Sequence, residues 1–319
     1  MKFTVLGHCS FDMLHHVGGR EERKPGGIFL AVKALASFCG GEDSVQPVFG
    51  VGREDIDAVK DQLSSYAAVD TSGIFLLEGK TNEVHFYAQP CEGSEPSQGL
   101  VKFTECSKSI APPIPFLRIE PRLSTNGILL NMISGSDITL ETLDQIRLAI
   151  RERGIPLHLD LHNLTLGVNA DFSRFRRPLS DWRRWCFMAD SVQMNEEEAA
   201  GLTMERYDEE MLAKQMLPLM VKGMCVTRGA RGATVFRQDH KQILRNDAAG
   251  DPFFSRTAIG SGDVFGAAFL FSVCKKRKMT DALVFAHHAA HEFAVEGEPA
   301  FGGFQKLAAA VSPVAPFSL

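Results

Sequence analysis

Gly127–Ile133 reads GILLNMI, an unbroken apolar run of strand length. Just beyond it Leu140, Leu143, Ile146 and Ile150 recur at helical spacing, and Thr139 stands where a helix N-cap belongs. A strand apolar on both sides, followed by a helix, is the unit of a parallel sheet whose two faces are both covered. Working outward, the alternation continues. Phe3–Leu6 leads to a helical stretch at Ile28–Phe38, and Val45–Val51 leads to Asp55–Tyr66, where Ile56, Val59, Leu63 and Tyr66 share a face. Ile155–Leu161, Ser191–Met194 and Gly223–Thr227 read as further buried strands, and long helices start near Val264 and Asp281. The pattern predicts an α/β fold: a doubly wound, mostly parallel sheet with helices on both faces, and ligands beyond the carboxyl ends of its strands.

Two segments break the rhythm. His15–Lys24 is polar and basic. Ile74–Ile110 alternates with period two, Val84 and Phe86 on one strand and Val101 and Phe103 on another, around the turn-rich loop Pro90–Gly99. Together they predict a small β-sheet lid, formed by about 13–24 and 74–110 and inserted in a single domain spanning 1–319. Exposed edges of such a lid would allow pairing with a second copy, a homodimer.

Composition narrows the function. With 34 Lys+Arg against 39 Asp+Glu the formal charge is −5, which gives no electrostatic reason to expect nucleic acid or an anionic membrane as partner. The run Ala267–Val273 is too short to span a bilayer, and the first residues lack the layout of a signal peptide. Cysteines 9, 39, 91, 106, 186, 225 and 274 are scattered singly, which suggests neither disulfides nor a zinc knuckle and fits a reducing cytoplasm.

The chemistry concentrates at Gly260-Ser261-Gly262-Asp263, followed at once by an apolar helix. Glycines on either side of Ser261 allow a tight turn whose N–H groups converge, and the helix start adds its unpaired donors and positive dipole end. Such a nest suits the charge of a transferring phosphoryl group, and a carboxylate at its rim can take the proton of an attacking hydroxyl. The same residues are also an ordinary helix start, where Asp is favoured for stability alone. Similarly, Asn195 and Glu198 have the spacing of a capping box.

Five stretches in order decide between these readings. They are Phe11-Asp12 with Pro25-Gly26-Gly27, Phe49–Gly52 with Val69–Ile74, Asn195–Leu202, Val226–Ala233, and Gly260–Asp263. Over nearly its whole length the chain resembles the ribokinase-like (PfkB) family of carbohydrate and nucleoside kinases. The resemblance implies an ATP-dependent kinase acting on a hydroxyl of a small sugar or nucleoside. It makes Asp263 the general base and Gly260, Ser261 and Gly262 the anion hole. Asn195 and Glu198 would organise Mg²⁺ and phosphate through water, making Glu198 the metal-side residue. Thr227, Gly229 and Gly232 would line the nucleotide, and Asp12, Gly26, Gly27 and Asp160 the acceptor.

The chain also departs from that pattern. Ile28 and Ala31 replace the Asn positions usual after Gly-Gly, and the usual D-x-N becomes Asp160-Leu161-His162 with Asn163 displaced by one. Thr257 stands where potassium-activated members carry Asp, which weakens the case for a bound monovalent cation. Ala258 and Ile259 replace hydroxyl residues beside the anion hole. These losses favour, as an alternative, a non-catalytic sensor binding nucleotide or sugar on the same fold. A nicotinamide oxidoreductase has no G-x-G-x-x-G after a strand behind it. Gly73–Thr81 resembles a P-loop with one residue too many and bulky strand formers inside, and His287, His288 and His291 lack the company zinc requires. His8, Cys9, His15 and His16 surround Asp12 in sequence, and Arg20, Arg23 and Lys24 offer positive charge in the lid to an acidic or phosphorylated acceptor, or form a solvated surface.

Overall fold

The computed structural model describes residues 1–16, 19–90, 101–251 and 259–310. Nine strands form the main sheet in the order Gln242–Ala249, Gly232–Asp239, Gly223–Thr227, Ser191–Asn195, Leu157–Asp160, Gly127–Asn131, Lys2–Leu6, Ser44–Val51 and Ile74–Leu76. The last seven run parallel, while Gly232–Asp239 is antiparallel to both of its neighbours. Gly127–Asn131 and Leu157–Asp160, in the middle, are buried along their whole length. Alternation splits their side chains between two cores: Leu129 joins Phe3 and Val5 on one face, Ile128 and Leu130 join Leu6 on the other. The helices Ile28–Phe38, Ser261–Cys274 and Met279–Glu296 cover the first face, and Leu140–Ile150 with Glu209–Met216 the second. Thr139 caps the helix Leu140–Ile150, its side chain accepting from the Thr142 N–H at 3.2 Å.

A separate four-stranded sheet runs in the order Glu21–Gly27, Cys9–His15, Asn82–Pro90 and Val101–Ser109. Its bounds differ from the 13–24 and 74–110 read from the sequence. Ile74–Leu76 pairs with Phe49–Val51 and belongs to the main sheet, and the first lid strand already starts at Cys9. The physical reason is that period-two patterning marks a strand without naming its partner. The wider lid has a functional consequence, because it carries Asp12 and Gly26 within its own strands. Gly27 ends the lid at φ 57° and caps the helix Ile28–Phe38, so lid and core meet at that glycine. The short hairpin Leu166–Val168 and Arg174–Arg176 reaches the outer lid strand, where the Ser107 N–H donates to Phe172 O at 3.1 Å. Among the described residues no helix is long and apolar enough to cross a membrane.

Candidate active site

The parallel strands deliver Asn131, Asp160, Asn195 and Thr227 at their carboxyl ends, the edge where open α/β sheets bind ligands. Over this edge stands the helix Ser261–Cys274. Gly260 precedes it at φ 94°, and a Cβ there would overlap Leu30 Cδ1, so left-handed backbone and close packing both require glycine. Among the described residues no side chain caps this helix start, which leaves the first-turn N–H groups at Ser261 and Gly262 without a side-chain acceptor.

Asp263 sits in that first turn, 6 % exposed, and accepts from Asn131 Nδ2 at 2.8 Å. Burial pushes its carboxyl up from 3.8 to about 8, and the charge of Asp12 adds to the rise; the Asn131 hydrogen bond opposes it. A carboxylate so placed is a proton acceptor poised near neutral pH.

Asp12 comes from the lid and is likewise buried, which raises it from 3.8 to about 6; the hydrogen bond from Ser10 Oγ at 3.1 Å opposes that rise. Gly26 lies on the neighbouring strand so close that a Cβ would overlap the Asp12 carboxylate. Asp160 is raised well above 3.8 by burial and then by the charges of Glu198 and Asp263, and Gln193 Nε2 donates to it at 3.2 Å. It thus lies within reach of the charges of both Glu198 and Asp263.

On the opposite flank, Asn195 and Glu198 form a reciprocal capping box: Glu198 N donates to Asn195 Oδ1, and Asn195 N to Glu198 Oε2, both at 2.8 Å. Asn195 Nδ2 donates to Glu198 Oε1 at 2.7 Å. Burial raises the Glu198 carboxyl. Both of its oxygens are engaged, and among the described residues no three His, Cys, Asp or Glu side chains could hold a metal ion. The donor set therefore fits Mg²⁺ kept in its own water shell and seated on substrate phosphates, and does not fit a protein cage. Beside it opens a cleft of about 1090 Å³ lined by Arg176, Glu196, Glu197, Tyr207, Arg228 and Arg245. Thr227 ends its strand toward this flank, and Gly229, at φ 55°, has open space where a Cβ would be. Gly232 is different: a Cβ there would overlap Ala248 O, so its backbone packs against the neighbouring strand.

Several residues of the site had no signal in the motifs. Asn131 closes an apolar run and reads as its end. Gln193 points its amide at Gly262 O (2.9 Å) and Asp160, tying the glycine turn to the sheet. The displaced Asn163 donates to Ile133 O at 2.6 Å and reaches Glu105 of the lid at 3.4 Å. Other candidates turn away. His15 stacks with His85 and Tyr87 on the lid's far face, and His8 is tied to Ser134 and Pro112 O. Burial pushes the Cys9 thiol far up, as for a small core residue. His287 is lowered by burial. Thr257 and Ala258 lie outside the described residues, as does Cys91 with the loop after Pro90.

Residues 170–297 match the family model described as pfkB family carbohydrate kinase. That segment carries Asn195–Glu198, Thr227–Gly232 and Asp263. That segment is similar to the PfkB carbohydrate kinases, and the chain as a whole has the ribokinase-like fold. Its fold is shared with a ribokinase from Giardia lamblia (15 % identity, TM-score 0.73, 98 % of this chain and 99 % of that one). A sulfate-bound pyrophosphate-dependent kinase of the ribokinase family aligns at 19 % identity and TM-score 0.73, over 92 % and 95 % of the two chains. A nucleoside kinase from Burkholderia thailandensis, complexed with inosine, aligns at 14 % and 0.68, over 97 % of each chain. At these identities the likeness of this ribokinase-like chain to solved structures is one of fold. No curated protein matches it.

Proposed function

We propose that the chain transfers a phosphoryl group from ATP to a hydroxyl of a small sugar or nucleoside, with Asp263 as general base. The observation that carries this reading is the buried Asp263 carboxylate in the first turn of an uncapped helix, close enough to Asp12 to feel its charge. Asp12 and Gly26–Gly27 hold the acceptor and Asp263 takes its hydroxyl proton. The freed oxygen bonds to the terminal phosphorus as the bond to the leaving diphosphate breaks. The N–H groups of Gly260–Gly262 meet the charge that develops. Asn195 and Glu198 would hold Mg²⁺ through its water shell, and the ion would supply charge neutralisation to the donor phosphates that Thr227 and Gly229 line. A sensor that transfers nothing would have no need for a base kept near neutral pH in so costly a setting.

A second donor, pyrophosphate, has one feature behind it: Arg176, Arg228 and Arg245 line the donor-side cleft, each at present paired with a carboxylate, Glu197, Glu209 and Asp247, that a phosphate would have to replace. A pyrophosphate-dependent relative shares the fold. Incubation with ATP and with pyrophosphate, against pentoses, hexoses, polyols and nucleosides, and mass detection of the phosphorylated acceptor decide between them. Product with ATP supports the reading, product with pyrophosphate alone replaces the donor, and product with neither removes the kinase.

Gly26→Ala tests the acceptor side. The added methyl displaces the Asp12 carboxylate, and one lost charge-assisted hydrogen bond costs about 1.5–3 kcal/mol. The acceptor KM should rise about 10- to 100-fold, with the donor KM within twofold. An unchanged acceptor KM would remove Asp12 from acceptor binding.

A further inference from the structure

We infer that Glu105, carried by the lid, is a second acceptor-binding carboxylate and selects neutral polyhydroxylated acceptors over those bearing phosphate or carboxylate. The inference rests on the kinase reading above and names the class of acceptor.

Register puts Glu105 on the correct face. Asp12, Val84 and Ser107 stand opposite one another across three lid strands, and Leu14, Phe86 and Glu105 form the next row. Directly opposed residues project to the same side of a sheet, so Glu105 shares the face of Asp12. Two strand spacings across and two residues along separate their backbones, roughly 12 Å. That gap takes one sugar-sized ring with a carboxylate at either side.

Its hydrogen-bonding capacity is the second argument. Asp137, also buried nearby, is saturated: His8 N donates to one oxygen at 2.6 Å, and Ser134 N, Gly135 N and Ser134 Oγ donate to the other at 2.9, 3.1 and 3.1 Å. Asp137 is therefore structural. Among the described residues Glu105 has only long contacts, to Asn163 Nδ2 at 3.4 Å and Arg174 Nε at 3.7 Å, against about 2.7–2.9 Å for a good charge-assisted bond. Both of those partners are engaged elsewhere, Asn163 on Ile133 O and Arg174 on Ser107 Oγ (2.8 Å) and Ser134 O (3.2 Å). The carboxylate is thus oriented without being consumed, and its side chain remains 23 % exposed.

Charge sets the selectivity. The acids Asp12, Glu105, Glu198 and Asp263 act on one another across this space, and Arg174, Arg176 and Lys24 only partly offset them. Of the lid's cations, Lys24 stands opposite Asp12 and partly offsets it, while Arg23 stacks over Phe11 on the far face and pairs with Asp55 at 2.8 Å. Hydroxyls satisfy carboxylates as donors; a phosphate or carboxylate on the acceptor repels them.

Glu105→Gln keeps the size and the acceptor for Arg174 while removing the charge. With the best neutral acceptor its KM should rise about 10-fold or more, kcat staying within threefold and the donor KM unchanged. Wild type should use each neutral sugar, polyol or nucleoside at least 100-fold better than its monophosphate, and Glu105→Lys should narrow that ratio. A purely structural latch to Arg174 would instead make Arg174→Gln and Glu105→Gln alike in thermal stability and leave acceptor KM unmoved, which overturns the inference. So does a wild type that prefers the monophosphates. Should wild type phosphorylate nothing, the kinase reading fails separately, and titration calorimetry with the same neutral compounds judges Glu105. Tighter binding to wild type than to Glu105→Gln upholds its role, and equal or absent binding ends it.

Discussion

Asp263→Asn is expected to lose phosphoryl transfer by at least about 100-fold, as for removal of a general base, and to make the unliganded protein more stable at pH 8. The two effects have one source. The Asp263 carboxyl, buried beside Asp12, stands at about 8 where an unfolded chain has 3.8. Between those values the folded state holds a proton that the unfolded state has released, so the folded state binds more protons and stability falls as pH rises. The loss begins near pH 4 and is complete above pH 8. At about 1.4 kcal/mol per pH unit it amounts to several kcal/mol, drawn from a total of only about 5–15. Asn keeps the oxygen that accepts from Asn131 Nδ2 and carries no proton to lose. Melting temperatures of both proteins at pH 5 and pH 8, with turnover at pH 8, check it. The variant should gain most at pH 8 and little at pH 5. Turnover near that of wild type would dismiss Asp263 as the base, and a wild-type melting temperature flat across this range would dismiss its raised carboxyl.

The other acids extend the argument. Asp12, Asp160 and Glu198 are all raised by burial first, so the unliganded site is a concentration of charge that folding alone does not favour. Such a cost is sustained where a ligand relieves it, and that is what separates this corner from Asp190, a carboxyl lowered by the Lys222 and Leu157 hydrogen bonds and by Arg147.

Much of the fold was legible because hydrophobic period and element type coincide. Ile28–Phe38 and Gly223–Thr227 have in the structure the bounds their apolar patterns predict. Ile74–Leu76 did not yield its partner, since alternation says nothing about which edge a strand joins. At the site, Asp263 and the Asn195–Glu198 box were visible because glycine turns and caps leave local signals. Glu105 was invisible for a different reason. Alternation puts it on the face of Val101 and Phe103, but nothing in the sequence says that this strand lies in one sheet with the strand of Asp12. Asn131 was hidden by its own neighbours, a polar residue closing the run GILLN that reads as strand throughout.

That hidden residue gives the second large expectation: Asn131→Leu should move the acid limb of kcat/KM to higher pH and lower turnover at pH 7 by about tenfold or more. Asn131 Nδ2 is the side-chain donor on the Asp263 carboxylate, and its hydrogen bond is the principal force holding that carboxyl down against burial and Asp12. Without it the base carries its proton to higher pH, and each unit of rise removes about a factor of ten at neutral pH. Stability should move the other way or not at all. Asn131 Oδ1 is buried with no hydrogen-bond partner among the described residues, so an apolar replacement removes an unsatisfied acceptor, and the Asp263 it leaves behind can hold its proton. A merely structural asparagine would show the reverse, a lower melting temperature with an unmoved pH profile. The pH dependence of kcat/KM, measured from pH 6 to 10 on both proteins together with their melting temperatures, separates the two. Asn131→Asp sharpens the test, because two carboxyls at this distance share one proton and the second ionises only at much higher pH. Its activity at pH 7 should fall below that of Asn131→Leu at high pH, and a profile matching wild type would show that Asn131 does not tune the base.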